Sequence, residues 1–149
     1  MVLHGPGFQG GLVPDGMVSL IDLPPTLLRA AGVEIPQTMR GHALQDLVDG
    51  TAPAWPDDVF IQISESHCGR AVRTRRWKYS VRAPDTPGHA LHSSRYVEEF
   101  LYDTEADPHE RNNLVGDPSL AGIRSLMKQR LLKHMLAAGE PLPEIRPAG

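Results

Sequence analysis

Cysteine is nearly missing from this chain: Cys68 is the only one. No disulfide can close within the chain and no thiolate cage can hold zinc, so neither an oxidising compartment nor a zinc ribbon is indicated. Long apolar runs are also lacking. None reaches the roughly 20 residues of a membrane helix, and residues 1–16 carry no basic segment ahead of an apolar one, as a secretion signal would. No membrane partner is expected, and the compartment stays unknown, with the cytoplasm as the default. Excess positive charge is absent too. A net charge of -3 gives no general attraction to nucleic acid, despite the local cluster Arg70, Arg73, Arg75, Arg76 and Lys78. What remains is ordinary for a folded protein: 149 residues, 40% hydrophobic and 22% charged, enough for one core and without an internal repeat.

The chain reads in two parts, 1–57 and 58–149. Met1-Val2-Leu3 resembles the end of a strand running into a glycine-rich turn. Residues 22–32 predict a helix, with Asp22 as N-cap, Pro24 and Pro25 in the first turn, and Gly32 past the end. A shorter helix is expected over 43–49. Beyond the Pro53 and Pro56 loop the period changes. Residues 59–63, 70–74, 77–81 and 99–102 predict a four-stranded antiparallel sheet, the second and third strands forming a hairpin.

Residues 82–95 hold no repeating apolar face and are expected to be the least ordered internal segment. A long helix follows from about 118 to 138, capped at Asp117-Pro118, with Leu120, Ile123, Leu126, Met127, Leu131 and His134 or Met135 as its apolar stripe. Trp77 and Tyr79 share one strand face and are expected beneath this helix. The tail 140–149, with Pro141, Pro143 and Pro147, is expected to run extended across the surface. The fold class is α+β.

Four ordered segments carry a resemblance: Gly5-Pro6-Gly7-Phe8; Val18 to Leu28 with its Asp22-Leu23-Pro24-Pro25-Thr26 core; Arg73-Thr74-Arg75-Arg76-Trp77-Lys78-Tyr79; and Leu101-Tyr102-Asp103 through Asp107-Pro108-His109-Glu110 with Asn113-Leu114. Together they resemble the C-terminal region of the sulfatases of the alkaline-phosphatase superfamily. The resemblance implies that 1–57 is a remnant of the large α/β catalytic domain and that 58–149 is the C-terminal subdomain. In that family the nucleophile is a formylglycine made from Cys-X-Pro-X-Arg or Ser-X-Pro-X-Arg, and the complete enzyme uses a divalent cation such as calcium.

Neither nucleophile motif occurs here: Cys68 is followed by Gly69 and Arg70. No cofactor is therefore expected in this chain, and the chain alone is expected to be inactive. The resemblance also implies that His67 and Arg70, in the turn before the hairpin, could reach an anionic substrate at the rim of the cleft. Cys68 as a nucleophile, a cation among Asp103 to Glu110, and a metal at His89 and His92 are each outweighed by ordinary structural roles. Two functions stay open. The chain is either part of a sulfatase, or of a related phosphate or phosphonate ester hydrolase, or else it is a stand-alone interaction module. The expected partner is a missing catalytic domain or a second copy, meeting the faces of Leu20, Leu23, Leu27 and Leu28.

Overall fold

A computed structural model of the chain describes residues 1–52 and 54–149. They divide into two compact units, Met1–Asp57 and Asp58–Gly149. None of the described helices is long and apolar enough to cross a membrane.

In the first unit a 3-10 turn, Leu20–Asp22, leads into α1 (Leu23–Ala30), and α2 (Leu44–Val48) follows. Both helices lie where the capping and spacing signals place them. Asp22, however, does not cap α1 with its side chain. Its buried carboxylate accepts the Ser19 N–H at 2.8 Å and the His42 N–H at 2.9 Å, tying the helix entry to the 36–43 segment. Thr26 joins the two helices: its hydroxyl donates to Asp22 O (2.6 Å) and accepts from Leu44 N (2.9 Å). No strand forms over residues 1–3, because no described segment pairs with them; only an isolated bridge links Gly5 and Phe8.

Gly41 lies so close to the helix entry that a Cβ there would sit 1.9 Å from Ile21 O. That neighbour is backbone and cannot swing away. Gly41→Ala is therefore expected to cost about 2–3 kcal/mol, the upper part of the range for forced overpacking. Thermal unfolding followed by circular dichroism checks it; an unchanged midpoint would contradict this packing.

The second unit is a sheet in the order β1 (Asp58–Ile63), β2 (Cys68–Thr74), β3 (Trp77–Ala83), β4 (Arg95–Asp103) and β5 (Glu144–Arg146). The first four strands form the antiparallel meander that the sequence predicts, each extending beyond its expected bounds. The fifth was not expected. The tail returns beside β4 and pairs with it in parallel, Tyr96 opposite Ile145. A parallel neighbour needs a crossover, and α3 (Ala121–Ala137) supplies it. The prolines do not forbid this: β5 occupies the three residues between Pro143 and Pro147 and lies at the sheet edge, where lost N–H donors cost little.

The helix start is as the sequence reads. Asp117 Oδ1 accepts the Ser119 N–H at 2.8 Å, ahead of a 3-10 turn, Pro118–Leu120. Met127, Leu131 and Met135 form the buried stripe of α3, while Leu126 of the expected stripe is half exposed to solvent.

Strand alternation puts Val72, Tyr79 and Leu101 opposite one another on a single face, and these pack with the helix stripe into the core. Tyr79 is fully buried with the helix stripe, as expected, and Trp77 packs at the core's border. Each such side chain contributes roughly 1.5–3 kcal/mol by leaving water. An irregularity between Ser80 and Val81 sets Val81 opposite Glu98, and the Tyr79 hydroxyl donates to Glu98 Oε1 at 3.0 Å. Burial, and then the Glu98 charge, push the Tyr79 phenol far up, so it remains a neutral donor.

Candidate functional site

His67 lies in the turn between β1 and β2, and Cys68 and Arg70 lie at the start of β2; the sequence offers His67 and Arg70 as rim contacts and gives Cys68 an ordinary structural role. The structure separates their roles. Cys68 faces the core, fully buried, with Sγ 3.6 Å from the Tyr96 hydroxyl. It behaves as a small core residue. His67 lies against Gly69, its Nδ1 3.1 Å from Ser66 Oγ. Its Nε2 is buried and has no hydrogen-bond partner among the described residues.

Arg70 is 1% exposed. Alternation on β2 turns it to the helix side, opposite Val81 of β3 and Gln62 of β1. There its Nε donates to Glu140 Oε1 (2.7 Å), its Nη1 to Gly69 O (2.7 Å) and its Nη2 to Leu91 O. Burial works against the Arg70 charge, and the Glu140 carboxylate more than restores it, leaving the group firmly protonated. Gln62 Nε2 donates to the same Glu140 oxygen at 3.3 Å, and Glu140 Oε2 is buried without a partner among the described residues. Sequence reasoning missed Glu140, because a lone carboxylate in a proline-rich tail carries no periodic signal.

Of the 82–95 segment, expected to be the least ordered, the ends belong to β3 and β4 and residues 84–94 are held at several points. Besides the Arg70–Leu91 contact, Glu65 N donates to Gly88 O (2.9 Å) and Ser93 N donates to the Tyr96 hydroxyl (3.0 Å). A Cβ on Gly88 would lie 2.1 Å from Glu65 O, so only glycine permits this approach. Burial, followed by the Cys68 contact, pushes the Tyr96 phenol up to about 12. A free tyrosine titrates near 10. The neutral phenol therefore contributes stability that is fully present below about pH 10 and is lost as pH rises through about 12. Alkaline unfolding should begin above pH 10, and Tyr96→Phe should make it shallower, with the buried Tyr79 phenol contributing the remainder. Phenolate absorbance measured alongside circular dichroism checks this, and identical alkaline curves for the two proteins would contradict it.

The basic cluster and the acidic run largely neutralise one another. Asp103 accepts from Arg76 Nε (3.0 Å) and Nη2 (2.8 Å), and also from the Glu105 and Ala106 N–H groups, so it is held below the usual carboxylate range. Lys78 pairs with Glu110 at 2.6 Å, and Arg76 lies over the Trp77 ring. Asp107 Oδ2 accepts the N–H groups of Arg111 and Asn112. These carboxylates close a turn rather than converge. His89 and His92 are exposed. Among the described residues no three His, Cys, Asp or Glu side chains come together, so the residues present do not fit a divalent cation.

The family model described as N-sulphoglucosamine sulphohydrolase, C-terminal, matches residues 1–137. This chain belongs to that sulfatase C-terminal family. The human protein arylsulfatase K is 28% identical over 124 residues, which cover 76% of this chain and 22% of that protein. The N-acetylglucosamine-6-O-sulfatase of Bacteroides thetaiotaomicron is 30% identical over 140 residues, 91% of this chain and 23% of the relative. Among solved structures, a candidate sulfatase of the same bacterium superposes with a TM-score of 0.64 at 27% identity, covering 80% of this chain and 25% of that one. The chain thus spans about a quarter of the length of the sulfatases it matches. The α+β architecture, a sheet with its C-terminal helix, is the architecture of these sulfatase C-terminal regions.

Proposed function

We propose that this chain is the C-terminal part of a sulfuric ester hydrolase and that its own contribution is architectural. The observation that carries this is the sulfatase C-terminal match over residues 1–137, supported by relatives whose further three-quarters have no counterpart in these 149 residues. In this reading the first unit is the closing portion of the α/β catalytic domain. The formylglycine and the divalent cation, such as calcium, belong to the complete enzyme. They would supply the nucleophile and the charge stabilisation that sulfate-ester cleavage requires.

Of the two residues expected at the rim, His67 and Arg70 enter in different ways, and Arg70 is buried. Arg70 acts by holding the turn, since its guanidinium is already engaged with Glu140, Gly69 and Leu91. His67 holds its Nε2 buried and without a partner among the described residues, so contact with an anionic substrate requires the 64–67 turn to open.

The partner expected at the first unit is the catalytic domain. Leu20 is 82% and Leu27 66% exposed, while Leu23 and Leu28 are half-buried. Apolar side chains left this open favour a covering surface. Without that domain a second copy is the next occupant, and light scattering of the purified 149-residue chain is expected to show self-association; a monomer at high concentration would contradict this.

A phosphate or phosphonate ester specificity is the second reading. It is favoured by 28% identity to the multifunctional alkaline phosphatase superfamily protein PehA of Trinickia caryophylli, of which the aligned region covers 27%. The coding sequence immediately upstream decides between these readings and an interaction module. An in-frame Cys-X-Pro-X-Arg or Ser-X-Pro-X-Arg segment is expected, and its full product should cleave aryl sulfates faster than aryl phosphates or phosphonates. The reverse preference selects the second reading, and an unrelated neighbour selects the interaction module.

A further inference from the structure

The tail 138–149 lies beyond the residues matched by the family model, yet it is built into the second unit. The helix end fixes where it starts. Gly139, at φ +85°, donates its N–H to Leu136 O (3.0 Å), and Glu140 donates to Met135 O (3.0 Å), the paired bonds of a Schellman cap. Glu140 is thereby delivered, 7% exposed, onto the buried Arg70. Farther along, Ile145 enters the core opposite Tyr96, Lys128 Nζ donates to Ile145 O (2.7 Å), and Glu144 N donates to Ser94 O (2.9 Å). The tail is anchored at both ends of its run, by an ion pair and by a strand.

Through those anchors it touches the 84–94 loop twice, directly at Ser94 and indirectly through Glu140, Arg70 and Leu91. That loop in turn holds the turn over 64–67 by the bond between Gly88 O and Glu65 N. Glu65 itself sits at φ +70°, a conformation that a non-glycine residue keeps only when its surroundings impose it.

We propose that the tail is a clamp: by seating Glu140 on Arg70 and β5 on β4, it sets the order of the 84–94 loop and of the 64–67 turn that carries His67. Glu140 is a positioning residue in this arrangement. The inference stands on the contacts alone and does not require the sulfatase reading.

Amide hydrogen exchange on the full chain, on a chain ending at Ala137, and on Glu140→Gln and Arg70→Lys tests it. Lysine retains a charge for Glu140 but lacks the planar fork that also reaches Leu91 O and Gly69 O. Removing the tail is expected to speed exchange over 64–67 and 84–94 at least tenfold beyond the acceleration that the lower stability of the whole unit gives around Met127 and Leu131. A peptide of residues 138–149 added back should restore protection. Arg70→Lys should loosen the loop while β5 stays protected, and Glu140→Gln should do so more weakly. If the shortened chain does not fold, the two substitutions still decide. Loop exchange unchanged in both of them, or acceleration equal in every segment, would overturn the clamp.

Discussion

Replacing Glu140 by alanine is expected to destabilise the Asp58–Gly149 unit by about 3–5 kcal/mol, because it strands the Arg70 guanidinium in the core without its counter-charge. Arg70→Met should cost a similar amount for the mirror reason, leaving a buried carboxylate whose remaining hydrogen bond among the described residues is the one from Gln62. The pair of substitutions together, Arg70→Met with Glu140→Leu, should recover most of the loss, since a well-packed apolar pair is often as stable as the ion pair it replaces. A domain of this size is stable by only about 5–15 kcal/mol, so either single change should move the urea midpoint strongly. The double-mutant cycle separates this from simple truncation of volume: additive losses, or single losses below about 1 kcal/mol, would show that the pair does not carry the coupling described.

The parts of this fold that were legible in the sequence are those set by local rules. The meander showed in the change from helical spacing to β-branched runs. The long helix showed in Asp117-Pro118 and the stripe of Met127, Leu131 and Met135, and α1 in its two first-turn prolines. Non-local pairings were not legible. Nothing local to Glu144-Ile145-Arg146 announces a strand, because its partner, β4, lies some 50 residues earlier and three nearby prolines argue the other way. Asp22 misled for the same reason: its position fits a helix cap, but the His42 N–H that it accepts is contributed from 20 residues away.

Arg70 shows the limit most clearly. In sequence it belongs to a basic run and reads as an anion contact. Alternation along β2 separates it from Arg73, and only the fold reveals the carboxylate waiting on its side. Its pairing with Glu140 spans 70 positions, beyond any motif.

We propose that this family member supplies architecture and that the chemistry belongs to the rest of the complete enzyme. Sulfate-ester hydrolysis depends on an activated nucleophile and on positive charge where negative charge develops, and removing both takes away most of a rate enhancement that spans many orders of magnitude. Cys68 is buried against Tyr96, no nucleophile motif is present, and no cation cluster forms among the described residues. The most direct measurement is an assay of the purified 149-residue chain with an aryl sulfate, with and without added calcium. The rate is expected to equal that of the uncatalysed reaction in both cases; turnover that calcium raises, and that Cys68→Ala abolishes while the fold is kept, would contradict the claim.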